Sequence, residues 1–273
     1  MESPELHFYA PPPGHPLEPF VIAIFRVRTD APHRQETILP KGNVDLLFNL
    51  GEPLGGSDAK RDRFVIRSGA AWIGGLKTRP YSFEPGRMLY LLGVSLRGES
   101  CAGLLPLAPA EIVNLDAHDP PASAEMRLLG EQLHGMQSFA DQCALLIRWL
   151  VARLRPVRGA DLVRHACTLL RQSRAEDAVG ATARALAVSP RHLRRMVGEH
   201  VGIRPAEYVR LARFVEATQR IVQPGLTLTQ VALTCGYYDQ AHFSREFRSF
   251  AQMTPRQYRA RANHPVPGHI TDA

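Results

Sequence analysis

The sequence lacks the long apolar run that a membrane-spanning helix requires. Its longest apolar stretches, such as Pro19–Phe25, have the length of a strand and fall far short of the roughly 20 residues needed to cross a bilayer. The first residues are acidic and contain proline, so they do not resemble the basic start and apolar core of a signal peptide. From these absences we expect a soluble, cytoplasmic chain with no membrane partner.

Cysteine is scarce, and histidine is not spaced for metal binding. The four cysteines are separated by dozens of residues, and the eleven histidines form neither an HxH nor an HExxH pattern. Structural zinc sites usually bring cysteines together in CxxC pairs, and none is present. We therefore expect no metal and no cofactor, with the cysteines buried as small hydrophobic residues.

The usual catalytic signatures are also missing. The sequence contains no GxSxG nucleophile motif, no GxGxxG dinucleotide motif and no phosphate-binding P-loop. A DNA-repair protein with a fused DNA-binding domain would need a zinc site of clustered cysteines near its N-terminus. No cysteine precedes Cys101. We expect the chain not to be an enzyme, and keep an enzyme or a repair protein with a fused DNA-binding domain as the alternative.

Lysine is absent from the last third of the chain, where arginine is abundant. Residues 158–263 contain seventeen arginines and eight acidic residues, a net charge of +9, whereas residues 1–157 carry a net −1. Such an asymmetry is typical of proteins that bind a polyanion. An arginine-rich helical domain from a GC-rich genome would show the same charge, so charge alone does not decide between them.

The composition changes along the chain in a way that predicts two domains of an α+β fold. The first 115 residues are rich in glycine and proline and read as short strands, which is typical of a small barrel or sandwich. Apolar residues recur at helical intervals from about Ser123, and Arg155–Gly159 interrupts that pattern. We predict a β-rich domain over 1–157 that ends in a helical pair, an all-α domain over 158–263 and a flexible tail over 264–273. The strands expected are Phe20–Val27, Asn43–Leu50, Arg63–Arg67, Ala71–Ile73 and Met88–Val94.

An internal repeat organises the helical domain. When the chain is shifted by 50 residues, Ser189–Tyr208 overlies Asp239–Tyr258, and Ser189 and Asp239 are both favourable helix N-caps. Each copy reads as a short helix, a tight turn and a second helix. This pattern predicts two helix-turn-helix units over about 181–202 and 229–252, with recognition helices at about 190–200 and 239–250. The identical pairs are His192 and His242, Arg195 and Arg245, Pro205 and Pro255, and Tyr208 and Tyr258.

The side chains opposite the apolar face of each second helix have the chemistry of base recognition. Arginine can bond to guanine O6 and N7 together, and glutamine can do the same with adenine N6 and N7. Three arginines on one helix face could also be a solvated surface, but their placement on a duplicated scaffold favours contact with DNA. The residues predicted to bind DNA are Arg191, Arg194, Arg195, Gln240, Ala241, Ser244 and Arg245.

Several of these motifs occur in the order and spacing of a known family. Ser189–Arg195, Gly202–Tyr208 and Cys235–Phe247, followed by Thr254–Arg259, resemble the DNA-binding domain of AraC/XylS-type transcriptional regulators. The resemblance implies two helix-turn-helix units joined by a long helix, here Pro205–Val222, that read two successive major-groove segments of double-stranded DNA. It also implies a cytoplasmic, nucleoid-associated protein for which RNA polymerase is a plausible partner.

This chain departs from the family pattern at two turns. The family usually has glycine where Ala187 and Gln252 stand. A non-glycine residue in a left-handed conformation costs on the order of 1 kcal/mol, so the local backbone could differ at either place.

The N-terminal region resembles a module that often precedes such domains, most clearly at Ile38–Gly51. In related regulators a β-rich N-terminal domain senses a small molecule, forms a homodimer, or does both, and the resemblance implies the same possibilities here. Four side chains could line a ligand pocket, although aromatic residues in strands more often belong to the core. These are Trp72, Tyr81, Phe83 and Arg97.

Overall fold

A computed structural model describes residues 5–30, 35–57, 63–115, 124–262 and 268–272. Up to Arg97 the described elements are all strands, and from Gly98 to Arg261 they are all helical. The predicted α+β class is confirmed.

The first β-sheet has five antiparallel strands, and its order differs from the order along the chain. The strands lie in the order β1-β2-β9-β4-β7. The two ten-residue strands β2 and β9 pair along their length at the centre, where Leu92, Val94 and Leu96 are fully buried. Four of the predicted strands belong to this sheet. Its strands are β1 (Glu5–Tyr9), β2 (Val21–Asp30), β4 (Asn43–Asn49), β7 (Ala71–Gly74) and β9 (Met88–Arg97).

The second β-sheet, with strand order β10-β3-β8-β5-β6, is built from strands of four residues each. Its apolar side chains form a separate small core against residues of the first sheet, with Ile38, Leu54 and Phe83 on one side and Leu89 and Leu91 on the other. Of this sheet only β6 was predicted, because its three consecutive apolar residues are a stronger strand pattern than the polar or glycine-containing sequences of the other four strands. The strands are β3 (Gln35–Ile38), β5 (Leu54–Ser57), β6 (Arg63–Ile66), β8 (Tyr81–Glu84) and β10 (His269–Asp272).

Helices follow the sheets. A 3₁₀ helix (Gly98–Gly103) and a single turn, α1 (Pro109–Ile112), lead to the expected helical pair α2 (Ala124–His134) and α3 (Phe139–Val151). The Ser138 hydroxyl accepts a hydrogen bond from the Asp141 backbone N–H and caps α3. The pair packs back onto the first sheet, with α2 against β4 and β7.

Seven further helices form the arginine-rich part of the described chain. The long helix α7 lies at the centre, and its Phe214 is fully buried against Phe247 and Phe250 of α9. The start of the first repeat differs from expectation, since α5 begins three residues earlier and is capped by Asp177. The helices are α4 (Ala160–Gln172), α5 (Ala178–Ala185), α6 (Pro190–Val201), α7 (Pro205–Ile221), α8 (Leu228–Thr234), α9 (Gln240–Ala251) and α10 (Pro255–Arg261).

A polar network around the buried Glu99 side chain joins the β-rich and helical parts of the chain. Glu99 of the 3₁₀ helix is 4% exposed and forms an ion pair with Arg171 of α4 at 3.1 Å. Arg171 also donates to the Tyr208 hydroxyl of α7 at 2.7 Å, and that hydroxyl donates to Glu99 at 3.4 Å. Three elements from both parts of the chain therefore meet in one hydrogen-bonded triangle.

Residues 268–272 were predicted to belong to a flexible tail, but in the structure they lead into and form a paired strand. There β10 pairs antiparallel with β3, and Ile270 is fully buried. The backbone N–H and C=O groups at the edge of β3 pair with those of β10, and such a partner distant in sequence cannot be predicted from the local pattern of residues 268–272. The remaining tail residues, 264–267 and 273, lie outside the described part of the chain.

Candidate nucleic-acid interface

The two second helices of the repeat, α6 and α9, begin in the same way. The Ser189 hydroxyl accepts a hydrogen bond from the His192 backbone N–H at 3.1 Å, and the Asp239 carboxylate accepts one from the His242 N–H at 2.6 Å. Each N-cap satisfies a backbone donor that the first helical turn leaves unpaired. The start of each helix is therefore fixed by its own sequence.

The turns that precede these helices are also equivalent. Ala187 follows α5 with φ +52°, and Gly236 follows α8 with φ +78°. In both copies the next residue donates a backbone hydrogen bond across the turn, from Val188 to Ala183 and from Tyr237 to Ala232, each at 3.0 Å. The left-handed turn is thus kept although the first copy has alanine instead of glycine.

The second departure from the family pattern has a steric explanation. Gly202 (φ +83°) and Gln252 (φ +56°) end α6 and α9 at equivalent positions. A Cβ atom at residue 202 would lie 2.4 Å from the Pro109 carbonyl oxygen of α1, so glycine is needed there. Gln252 instead lies on the wall of an open cleft, where its side chain has room.

The apolar faces of the two helices are buried at the same phase. Leu193 and Val197 of α6, and Phe243 and Phe247 of α9, are all fully buried. Residues four apart lie on one side of a helix, so burying these pairs directs the opposite sides outward. The helices therefore present corresponding faces to solvent.

The three arginines predicted on α6 are exposed. Within the described chain, Arg191 and Arg194 have no hydrogen bond or ion pair. Arg195 contacts Glu199 at 3.5 Å and the His192 ring at 3.3 Å, both on its own helix. Such an exposed pair contributes little to stability and holds the arginine weakly. All three guanidinium groups can reach a partner outside the protein.

The four residues predicted on α9 differ in exposure and in their hydrogen bonds within the protein. Gln240 and Ala241 are exposed, and the Gln240 side-chain oxygen accepts a hydrogen bond from the Thr229 hydroxyl at 2.8 Å. Ser244 is half-buried and donates to the Gln240 backbone carbonyl at 2.8 Å. Arg245 is exposed, and no described residue pairs with it.

One exposed aromatic residue at this face was not among the predicted DNA-binding residues. Tyr238 is 88% exposed and lies directly before the N-cap of α9. Its neighbour Tyr237 is buried against Phe243 at a ring distance of 5.0 Å. The doubled tyrosine was the available signal, because only one of two adjacent residues can face the core.

A small cavity lies between the two sheets of the β-rich part. Its volume is about 50 Å³, and three of the four proposed pocket residues, Trp72, Tyr81 and Phe83, line it. Lys77 also lines the cavity and donates to the Leu115 carbonyl at 2.7 Å. The fourth residue, Arg97, bonds instead to the Glu18 carbonyl at 3.5 Å.

Two paired helix-turn-helix units with basic, exposed second helices define the class of helix-turn-helix DNA-binding proteins. Residues 182–261 match the family described as "Helix-turn-helix domain", and residues 9–118 match a "Domain of unknown function (DUF6597)". Residues 182–261 are a DNA-binding domain of the AraC/XylS type. No described helix is both long enough and apolar enough to span a bilayer.

Curated relatives are similar to part of the chain. The chain is 32% identical over 83 residues to the transcriptional activator RhaS of Pectobacterium carotovorum, a match covering 30% of each chain. It is 39% identical over 80 residues to the transcriptional regulator VirS of Mycobacterium tuberculosis, covering 29% of this chain and 23% of the relative. The chain thus spans less than a third of the length of either relative.

A solved structure is also similar to part of the chain. A transcriptional regulator from Chromobacterium violaceum, described as one of the AraC-type DNA-binding domain-containing proteins, is 28% identical, with 37% of this chain and 92% of that chain covered and a TM-score of 0.35.

Proposed function

We propose that this protein is a sequence-specific transcriptional regulator and not an enzyme. In this proposal α6 and α9 enter two successive major-groove segments on one face of double-stranded DNA. The observation that supports it is the equivalent position of Arg195 and Arg245, both exposed at the same phase of two capped helices with buried opposite faces.

The exposed side chains divide into two roles. Arg191, Arg194, Arg195 and Arg245 have the length and charge to read guanine or to bind phosphate, and each good bidentate base contact discriminates by about 1–3 kcal/mol. Gln240 and Ala241 offer an amide for adenine and a methyl group for thymine. The Ser244 hydroxyl already donates to the Gln240 carbonyl, so it can contact DNA only by accepting a bond or by changing partner.

The first experiment is selection of bound fragments from a random DNA pool by the full-length protein at about 150 mM salt, where non-specific binding is weak. We expect a motif of two blocks about 10 base pairs apart, which is one helical turn. Inverted copies of that motif would indicate a homodimer. Absence of any enriched motif would overturn the proposal.

Arginine variants then assign each block to a helix. We expect Arg195→Ala to abolish the sequence preference in one block and Arg245→Ala in the other. Arg87→Ala is the matched control, because it removes the same charge from an exposed site on the β-rich part. Equal losses of affinity for cognate and random DNA would reassign an arginine to phosphate binding.

The cavity between the sheets supports effector sensing as a second function. Its lining is mainly apolar, with Lys77 as the cation, so it suits a largely apolar molecule. At about 50 Å³ it is well below the roughly 300 Å³ of common ligand pockets, so a ligand must push the sheets apart. We expect a small apolar ligand to raise the Tm of the wild type but not of a cavity-filling Leu54→Trp variant. A ligand that raises the Tm of both proteins equally would place binding elsewhere.

A further inference from the structure

The strand β10 belongs to two parts of the molecule at once. Its backbone extends the second sheet by pairing His269–Asp272 with β3. The side chain of Ile270 is fully buried and belongs to the same continuous core as Tyr258 and Phe250 of the second helix-turn-helix unit. The strand therefore connects the sheet to the helices that support α9.

Gly268 fixes the start of this strand on both sides. Its N–H donates to the Tyr258 hydroxyl at 2.8 Å, and its carbonyl accepts from the Leu39 N–H at 2.8 Å. Gly268 has φ +85°, a conformation that glycine adopts without strain. His269 adds a hydrogen bond to the buried Glu36.

A short series of direct contacts leads from this strand to the recognition helix. The fully buried Tyr258 packs on Phe247 of α9 at a ring distance of 5.6 Å. In the other direction, His269 lies opposite Ile38, which lines the cavity between the sheets and pairs with Tyr81 on its far side. The strand thus stands between the cavity and α9.

The strand holds α9 without covering its exposed face. Phe247 faces the core, whereas Gln240 and Arg245 on the other side of the helix remain exposed. The first unit is held separately, because the end of α6 at Gly202 abuts Pro109 of α1. Both recognition helices are therefore fastened to the β-rich part with their reading faces open.

We propose that β10 is a strap that fixes α9 relative to α6 for DNA binding, and that the β-rich domain controls DNA affinity through it. This inference rests on the proposed function. A ligand that separates the sheets would displace β3, and β10 would transmit the displacement through Gly268 to Tyr258. A strap that fixes α9 in the free protein favours DNA binding, because the helix then loses less conformational entropy when the complex forms.

The test is Ile270→Asp in the full-length protein, measured on the selected two-block site. A buried carboxylate is strongly unfavourable, so the strap should detach. We expect a loss of affinity of about tenfold, the size expected when a few contacts must be ordered on binding. Val65→Asp is the matched control, since Val65 lies in the same sheet at 72% exposure and should leave affinity unchanged.

A double-mutant cycle separates strap release from general damage. With the strap detached, Arg245→Ala should cost much less than in the wild type, whereas Arg195→Ala should keep its full effect. Hydrogen exchange without DNA should show faster exchange in β3, β10 and α10 of the variant, with α6 unchanged. Ile270→Ala provides a milder variant if Ile270→Asp does not fold.

The proposal fails if Ile270→Asp matches Val65→Asp in affinity, or if it binds DNA more tightly, because either result would exclude a strap that favours binding. Failure of the wild type to select any motif would instead overturn the proposed function. In that case the exchange measurement on β10 still reports whether the strap exists.

Discussion

Ala187 and Gly236 occupy the same left-handed position, at φ +52° and +78°, in the two helix-turn-helix turns of the chain. An L-residue with a side chain is strained in this conformation by about 1–2 kcal/mol, whereas glycine is not. The first copy therefore keeps the turn at a cost that the second copy avoids.

Ala187→Gly should stabilise the protein by about 0.5–1 kcal/mol, because relief of the strain exceeds the gain in unfolded-state entropy. Urea unfolding at equilibrium measures it. The reverse change, Gly236→Ala, should destabilise by at least as much. If both changes destabilise, the turn is held by contacts other than its backbone conformation.

The two N-caps should contribute equally to stability. Ser189→Ala and Asp239→Ala each remove a side-chain acceptor for a backbone N–H and should cost about 1 kcal/mol. Thermal unfolding followed by circular dichroism gives the comparison. Ser189→Thr and Asp239→Asn keep an acceptor and should lose much less, and equal losses in all four variants would contradict capping.

Removal of the buried Glu99 carboxylate should cost more stability than removal of an exposed carboxylate of similar ion pairing. Glu99→Ala leaves Arg171 and the Tyr208 hydroxyl without their shared acceptor and should cost about 2 kcal/mol. Glu84→Ala breaks an exposed ion pair with Arg63 and should cost less than about 1 kcal/mol. Chemical unfolding of both variants gives the two losses in the free energy of unfolding. Similar losses would show that the burial of Glu99 does not strengthen its contribution to stability.

The cysteines should be unreactive in the native protein. Burial raises the pKa of the Cys143 thiol to about 11 and that of Cys235 to about 12, so few thiolates form at neutral pH. We expect almost no reaction with a thiol reagent at pH 8 and reaction of all four cysteines in denaturant. Rapid labelling of the native protein would contradict their burial.

The raised pKa values of the buried thiols also make the stability of the folded protein depend on pH. A group whose pKa is higher in the folded state stabilises that state below its unfolded pKa and loses the effect as pH rises towards the folded value. Stability should therefore fall between about pH 8.5, where unfolded thiols titrate, and pH 11 to 12. Cys143→Ser should reduce this loss of stability with rising pH, which urea unfolding at several pH values between about 8.5 and 12 would measure.

The sequence by itself determined the elements whose information is local. The N-caps at Ser189 and Asp239 and the 3.6-residue spacing of buried residues act within a few turns of one helix, and the 50-residue repeat shows the same local pattern a second time. These patterns predicted the second helices of both units to within a residue or so, and the apolar runs bounded by glycine and proline predicted β2, β4 and β9.

Only the tertiary structure decided the rest. Neither Gln35–Ile38 nor His269–Asp272 has the pattern of a strand, yet they pair across more than 230 residues of chain. The triangle of Glu99, Arg171 and Tyr208 likewise joins residues far apart in sequence. The physical reason is that caps and helical faces are satisfied by neighbours along the chain, whereas a short polar strand or a buried charge is stable only when the fold brings a distant partner to it.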